Sequence, residues 1–150
     1  LGDRTTVILK MLVEDSKAAL SLLGFEPQET NENQTGFVDY SFYEVNYGNL
    51  NGREHLQKQG ISYDLSWGNG DSFTSGMEYC RFSKEGELLV FDVYDNEVGL
   101  ELHLLKEAIN DHAKLIEMIN RKWDSVTPLP WDKQSEYSKI FRTLQLINPT

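Results

Sequence analysis

Apolar and polar residues alternate most regularly between Ile61 and Trp67, where Ile61, Tyr63, Leu65 and Trp67 are separated by Ser62, Asp64 and Ser66. That period of two predicts a half-buried strand. Gly68-Asn69-Gly70-Asp71 then breaks the pattern with residues that reach positive φ or bond their own backbone, so the chain is expected to reverse into a second strand beginning near Ser72. With Phe73 to Phe82 as the partner strand, Ser83-Lys84-Glu85-Gly86 turns the chain again into Glu87–Tyr94, a second hairpin;.

On either side the periodicity changes. Ile8, Leu12, Ala18 or Ala19, Leu22 and Leu23 recur at three- and four-residue steps, which predicts a helix from Thr5 to Phe25, capped by Asp3, Thr5 or Thr6 and stopped by Gly24 and Pro27;. Gln28 to Gly36 is polar throughout and reads as a mobile surface loop;. Alternation returns from Phe37 to Tyr47, but Tyr40-Ser41-Phe42-Tyr43 departs from strict period two, which implies a strand with a bulge or bend;. Gly48 to Gly52 is a turn-rich connector, followed by one helical turn or a loop over Arg53 to Gln59.

Val98 to Leu105 supports two readings. Leu100, Leu102 and Leu104 alternate, whereas Leu102, Leu105, Ile109, Ile116, Ile119 and Trp123 form a helical stripe;. The preferred reading is a strand to about Leu104 and a helix from there to Trp123. Pro128 and Pro130 stiffen a link to a last helix from Asp132 to about Ile147, with Asp132 as its cap;. The expected fold class is α+β: one domain over residues 1–150, with an antiparallel sheet of four or five strands and one N-terminal and two C-terminal helices packed on one face.

Composition narrows the function classes. The 39% hydrophobic content, with 3 Trp, 7 Tyr and 7 Phe, is enough for a core in a chain of 150 residues;. No apolar run approaches the ~20 residues of a membrane span, and Leu1-Gly2-Asp3-Arg4 lacks the order of a secretory signal, so a soluble, cytoplasmic protein is expected. Cys80 is the single cysteine, which excludes an internal disulfide and reads as a small buried residue;. Net charge is −10, and residues 1–50 hold 8 acids against 3 bases, residues 51–100 hold 9 against 4, and residues 101–150 hold 7 against 7. Excess acid in the first two thirds opposes direct nucleic-acid binding and suits a basic protein partner.

Candidate catalytic and metal motifs are incomplete. Gly68-Asn69-Gly70-Asp71 lacks the Lys-Ser/Thr continuation and helix of a phosphate loop, and Asp64, Asn69 and Asp71 do not provide a calcium loop's ligands;. No Gly-x-Ser-x-Gly elbow surrounds Ser62, Ser66, Ser72 or Ser75;. Glu101 and His103 are read as pointing to opposite sides, and His112 as a boundary histidine bonded to backbone;. Neither a cofactor nor a metal is expected. Asp64 with Asp71, or Asp92 with Asp95 and Glu97, are the carboxylates able to couple as glycosidase pairs do;.

Ile61-Ser-Tyr-Asp-Leu-Ser-Trp-Gly-Asn-Gly-Asp-Ser-Phe-Thr-Ser-Gly76 resembles a group of small bacteriophage and mobile-element proteins in which a strand ends in an aromatic, passes through a Gly-Asp-Gly-like turn and continues Ser-Phe. Asp15 to Phe25, ending Leu-Leu-Gly-Phe, is similar to the segment upstream of that motif. The resemblance covers about a sixth of the chain; the turn here reads Gly-Asn-Gly-Asp, and the insert between the two parts is longer. It carries no catalytic residues and implies a phage or plasmid origin. Together with the acidic first two thirds, that origin suggests a stoichiometric inhibitor of a host defence effector, of anti-CRISPR or antirestriction type, acting in the bacterial cytoplasm. It would occupy a basic nucleic-acid-binding surface. An immunity protein or antitoxin meets the same description, and a hydrolase with paired carboxylates is the competing class. The expected partner-binding residues are Tyr63, Asp64, Trp67, Asn69, Asp71, Asp92, Tyr94, Asp95 and Glu97, with aromatic side chains as anchors and carboxylates as the charged rim;.

Overall fold

Four successive β-branched residues, Thr5-Thr6-Val7-Ile8, decide how the chain begins. In the computed structural model, which describes residues 3–148, they belong to a strand, β1 (Arg4–Leu12), and the first helix, α1, runs only from Val13–Leu23. The single helix expected from Thr5 to Phe25 is therefore corrected to a strand and a shorter helix. β-Branched side chains lose rotamer freedom in a helix and pack well on a pleat, and Val7, Leu9 and Met11 are fully buried on one side of β1. Leu12, not Asp3, Thr5 or Thr6, stands at the helix N-cap, while Gly24 ends the helix at φ 77° with its N–H donated to the Leu20 carbonyl.

The polar run expected to be loop instead contains β2 (Glu29–Glu32), an exposed edge strand paired with β3 (Phe37–Asn46). The irregularity expected in β3 is a bulge: Thr5 faces Val45 and Val7 faces Phe42, so Tyr43 and Glu44 together oppose Thr6, with Glu44 at φ 54°;. After α2 (Arg53–Lys58) come β4 (Tyr63–Trp67), β5 (Gly76–Phe82) and β6 (Leu88–Tyr94). The β4–β5 reversal takes residues 68 to 75, longer than expected, because β5 begins at Gly76. The tight turn at Ser83–Gly86 is as expected, closed by the Ser83 N–H donating to the Glu87 carbonyl at 2.9 Å.

Beyond a 3-10 turn at Asp95–Glu97, the ambiguous segment is helical: α3 (Leu102–Ala108) and α4 (His112–Val126) replace the expected strand and single helix. The break falls at Asn110-Asp111, where Asp111 caps α4 by accepting the Lys114 N–H at 3.1 Å;. The last helix, α5 (Gln134–Ile147), is preceded by a 3-10 turn over Trp131–Lys133 that contains Asp132, so Lys133 and not Asp132 holds the cap position.

The architecture is α+β, a six-stranded antiparallel sheet in the order β2-β3-β1-β4-β5-β6 with five α-helices among the described residues. Ala19 and Leu23 of α1, Leu56 of α2 and Phe141 of α5 join the inward side chains of β1, β3, β4 and β5 in the main core. α3 and α4 lie over the opposite face, around a cavity of about 440 Å³ bordered by Tyr79, Val93, Leu105, Ile119 and Trp123. The expectation that all helices share one face is corrected accordingly. Two buried polar side chains tie the C-terminal part to the sheet. Arg81 bonds the Leu129 and Tyr63 carbonyls, pairs with Asp64 at 2.6 Å and stacks over Trp131. Gln134 accepts the Phe82 N–H and returns its own amide N–H to the Phe82 carbonyl, standing in for a neighbouring strand.

Candidate functional site

The antiparallel register of the β5–β6 hairpin places Glu78 directly opposite Asp92 and Gly76 opposite Tyr94, while Trp67 of β4 faces Gly76 from the other side. Only a glycine fits between them: a Cβ at Gly76 would meet the Trp67 ring at 2.7 Å. Trp67 and Tyr94 therefore close over Gly76 in an edge-to-face pair with centroids 5.9 Å apart;. Tyr47 and Phe73 form a second edge-to-face pair beside them, 6.3 Å apart. Between the two pairs lies a cleft of about 170 Å³, with Gly48, Asn49, Arg53 and Asp92 completing its lining.

Below the cleft sits a buried polar network. Glu78 Oε1 accepts the Tyr63 hydroxyl at 2.5 Å, and Oε2 pairs with the Arg53 guanidinium at 2.6 Å. Arg53 reaches on to Asn49 Oδ1 at 2.6 Å, and Gln57 donates to the Tyr63 oxygen at 2.9 Å. α2 is what delivers Arg53 and Gln57: Leu56, fully buried in the core, fixes the helix with these two side chains over β4 and β5. Burial pushes the Glu78 carboxyl above its ordinary range; the Tyr63 hydroxyl and Arg53 pull it back, and the Asp92 carboxylate across the strand pushes it up again;. Burial and the neighbouring Glu78 hold the Tyr63 phenol far above its usual range.

The expected partner-binding residues divide into three groups. Trp67, Asp92 and Tyr94 come together at the cleft. Asn69, Asp71, Asp95 and Glu97 are exposed around the same end of the sheet, and all but Asp71 have local duties. Asn69 accepts the Ser75 N–H at 2.6 Å across the turn, Asp95 accepts the Ser75 hydroxyl, and Glu97 accepts the Tyr94 N–H at 3.3 Å. Tyr63 and Asp64 do not fit a contact surface. Tyr63 is fully buried beneath the cleft, and Asp64 points to the opposite face, where it balances Arg81. Glu78 and Arg53, which support the cleft from beneath, are not marked by the periodicity of the chain.

The remaining candidate chemistry is unsupported. Glu101 and His103, expected on opposite sides, meet at the surface with His103 Nδ1 3.3 Å from the Glu101 carboxylate; residues two apart share a side in a strand, so that expectation contradicts the strand it assumes. His112 is exposed at the first residue of α4, not seated at a buried boundary. Cys80 is buried in β5, and burial raises its thiol to about 12, which removes the thiolate needed for nucleophilic chemistry;. Among the described residues no group of three or more His, Cys, Asp or Glu side chains is placed to hold a metal ion. None of the described helices is long and apolar enough to cross a membrane. Comparison with protein-family models, curated proteins and solved structures gives no match.

Proposed function

We propose that this chain is a binding protein that neutralises a basic protein partner, using the aromatic cleft and its carboxylate rim to take a cationic side chain. The observation that carries this reading is the cleft's composition: four aromatic rings and Asp92 around about 170 Å³. That is below the roughly 300–1,000 Å³ of a small-molecule site and matches a single protruding side chain. Arg53 does not repel a cation there, because Glu78 neutralises it at 2.6 Å, leaving Asp92 as the local excess charge. A lysine or arginine over the aromatic faces gains about 0.5–2 kcal/mol from cation–π attraction. Asp71, Asp92, Asp95 and Glu97 make no ion pair among the described residues and are open to an incoming base.

The phage-like central motif and the acidic balance together favour a nucleic-acid-processing defence effector as the partner, acted on in the bacterial cytoplasm; a toxin is the closest alternative. Affinity capture from host lysate at graded salt, with wild type and Asp92→Asn side by side, tests the reading. A captured basic protein whose retention falls with salt and with Asp92→Asn is the expected result. Retention indifferent to both would overturn it. One observation favours a second reading, a hydrolase: Glu78 and Asp92 face each other directly across β5 and β6, and the Asp92 carboxylate pushes the Glu78 pKa up. Turnover of chromogenic glycosides that disappears in Glu78→Gln would establish it in place of the first.

A further inference from the structure

The two edges of the sheet are built differently. β2 is four residues long, wholly exposed and carries Glu29 and Glu32 at its ends, features that discourage a further strand;. β6 has seven residues, six of them apolar, with Leu88, Leu89, Val90 and Tyr94 each more than a third exposed. Its free backbone groups can be located from the register. The Asp95 N–H donates to Ser75 and the Ser83 N–H to Glu87, so the intervening odd-numbered residues, Leu89, Phe91 and Val93, turn their backbone groups toward β5;. The even-numbered residues turn theirs outward. Of these, Tyr94 has its N–H taken by the Glu97 carboxylate, which closes one end of the edge. Leu88, Val90 and Asp92 are left with outward N–H and C=O groups and side chains on the face that carries the cleft.

We infer that the β6 edge accepts an extended, basic segment of the partner as a seventh strand, through the outward backbone groups of Leu88, Val90 and Asp92. This rests on the reading of a basic partner given above and specifies how that partner is held. Charge selects the occupant. Residues 85–97 contain Glu85, Glu87, Asp92, Asp95 and Glu97 and no base. A second copy of the chain pairing antiparallel on this edge would bring Glu85 and Glu87 of one copy beside Asp95 and Glu97 of the other at both ends. A foreign strand bearing lysine or arginine meets complementary charge along its whole length. The residue it places opposite Asp92 projects on the cleft face, beside Asp92 and diagonal to Tyr94, whose ring packs on Trp67, so a long basic side chain there reaches the cleft as the strand pairs;.

The probe is an end-blocked peptide as long as β6 that alternates lysine and valine, with a glutamate–valine counterpart as control. Hydrogen exchange of the 15N-labelled protein, read residue by residue, is the measurement. The lysine peptide is expected to slow exchange of the Leu88, Val90 and Asp92 amides by about tenfold or more while leaving Leu89 and Phe91, already bonded to β5, unchanged. Val90→Pro removes the central outward N–H at a position where an edge strand tolerates proline, and should weaken the peptide by about tenfold. Absence of protection in the wild-type protein overturns the inference, as does equal protection by the glutamate peptide. A dimer in solution that Val90→Pro dissolves overturns it in favour of self-pairing. Salt- and Asp92-dependent capture of a basic protein without edge protection would sink this inference and leave the function above standing; edge protection without any basic partner would do the reverse.

Discussion

Replacing Tyr63 by phenylalanine tests whether the buried carboxylate is what supports the cleft. The ring stays and one hydroxyl goes, together with its 2.5 Å bond to Glu78 and the 2.9 Å bond it receives from Gln57. A hydrogen bond to an ionised group contributes about 1.5–3 kcal/mol, against about 0.5–1.5 kcal/mol between neutral groups. Where Glu78 is ionised the expected loss of stability is therefore about 2 kcal/mol, and where it is protonated about 1 kcal/mol. The sign of the pH dependence follows from which form the hydroxyl favours. It stabilises the carboxylate, so its removal raises a folded-state pKa that burial has already raised. A carboxyl whose folded value exceeds its unfolded one costs stability at high pH, and that cost disappears as pH falls below the ordinary value of 4.5;. Urea denaturation of both proteins across this range should show the gap between them widening as pH rises through the Glu78 titration. A carbon-13 titration of Glu78 should move upward in the variant. A gap of the same size at every pH, or a Glu78 titration that stays put or moves down, would refute the claim that Tyr63 serves the carboxylate.

Other consequences are more direct. Arg81→Ala strands Asp64 and the Tyr63 and Leu129 carbonyls and should cost about 3–5 kcal/mol, measured as a lower urea midpoint with faster exchange over residues 127–131;. Gln134→Ala leaves both backbone groups of Phe82 without partners inside the protein and should cost at least about 2 kcal/mol by the same assay;. Gly48→Ala combines a φ of 65° with a new Cβ 2.8 Å from the Trp67 Cβ. A loss of about 1–3 kcal/mol and a displaced Trp67 indole resonance are the expected outcome, whereas an unshifted resonance would mean that Gly48 does not set the cleft wall.

Where one periodicity dominated, the pattern of residues led to the observed elements: β4, the β5–β6 hairpin, the bulged β3 and the final helix all lie close to their expected places. Misassignment occurred where two periods overlapped. Leu9 and Met11 extend an alternation begun at Val7, but Ile8 and Leu12 also fit a helical step, and β1 was absorbed into α1. The run of β-branched residues was the discriminating signal, since a strand between β3 and β4 is buried on its inner face and favours those side chains;. β2 had no local signal at all. Glu29 to Glu32 is polar because it lies at an exposed edge, and its strand character comes wholly from pairing with β3. α3 and α4 follow the helical stripe, which sets Leu105, Ile119 and Trp123 around the cavity over the sheet, and not the alternation of Leu100, Leu102 and Leu104.

The site follows the same division between local and non-local causes. Once Ser83–Gly86 is read as a tight turn between Phe82 and Leu88, Glu78 and Asp92 stand equally far from the strand ends and must face each other. Their pairing is therefore latent in the hairpin, whereas carboxylates close in sequence, such as Asp92 and Asp95, follow one another along the chain and do not face each other across the ladder. Tyr63 and Asp64 show the complementary error. Neighbours in a strand point to opposite faces, so a single contact surface holding both was never available. Arg53 had no comparable signal, because it arrives through the docking of α2, which depends on Leu56 finding a place in a core assembled from β1, β4 and β5. A binding cleft assembled this way takes its walls from hairpin register and its floor from helix packing. Substitutions in the β5–β6 turn should accordingly disturb Asp92 and Tyr94, while loss of Leu56 should release Arg53 and leave Glu78 buried without its counter-ion.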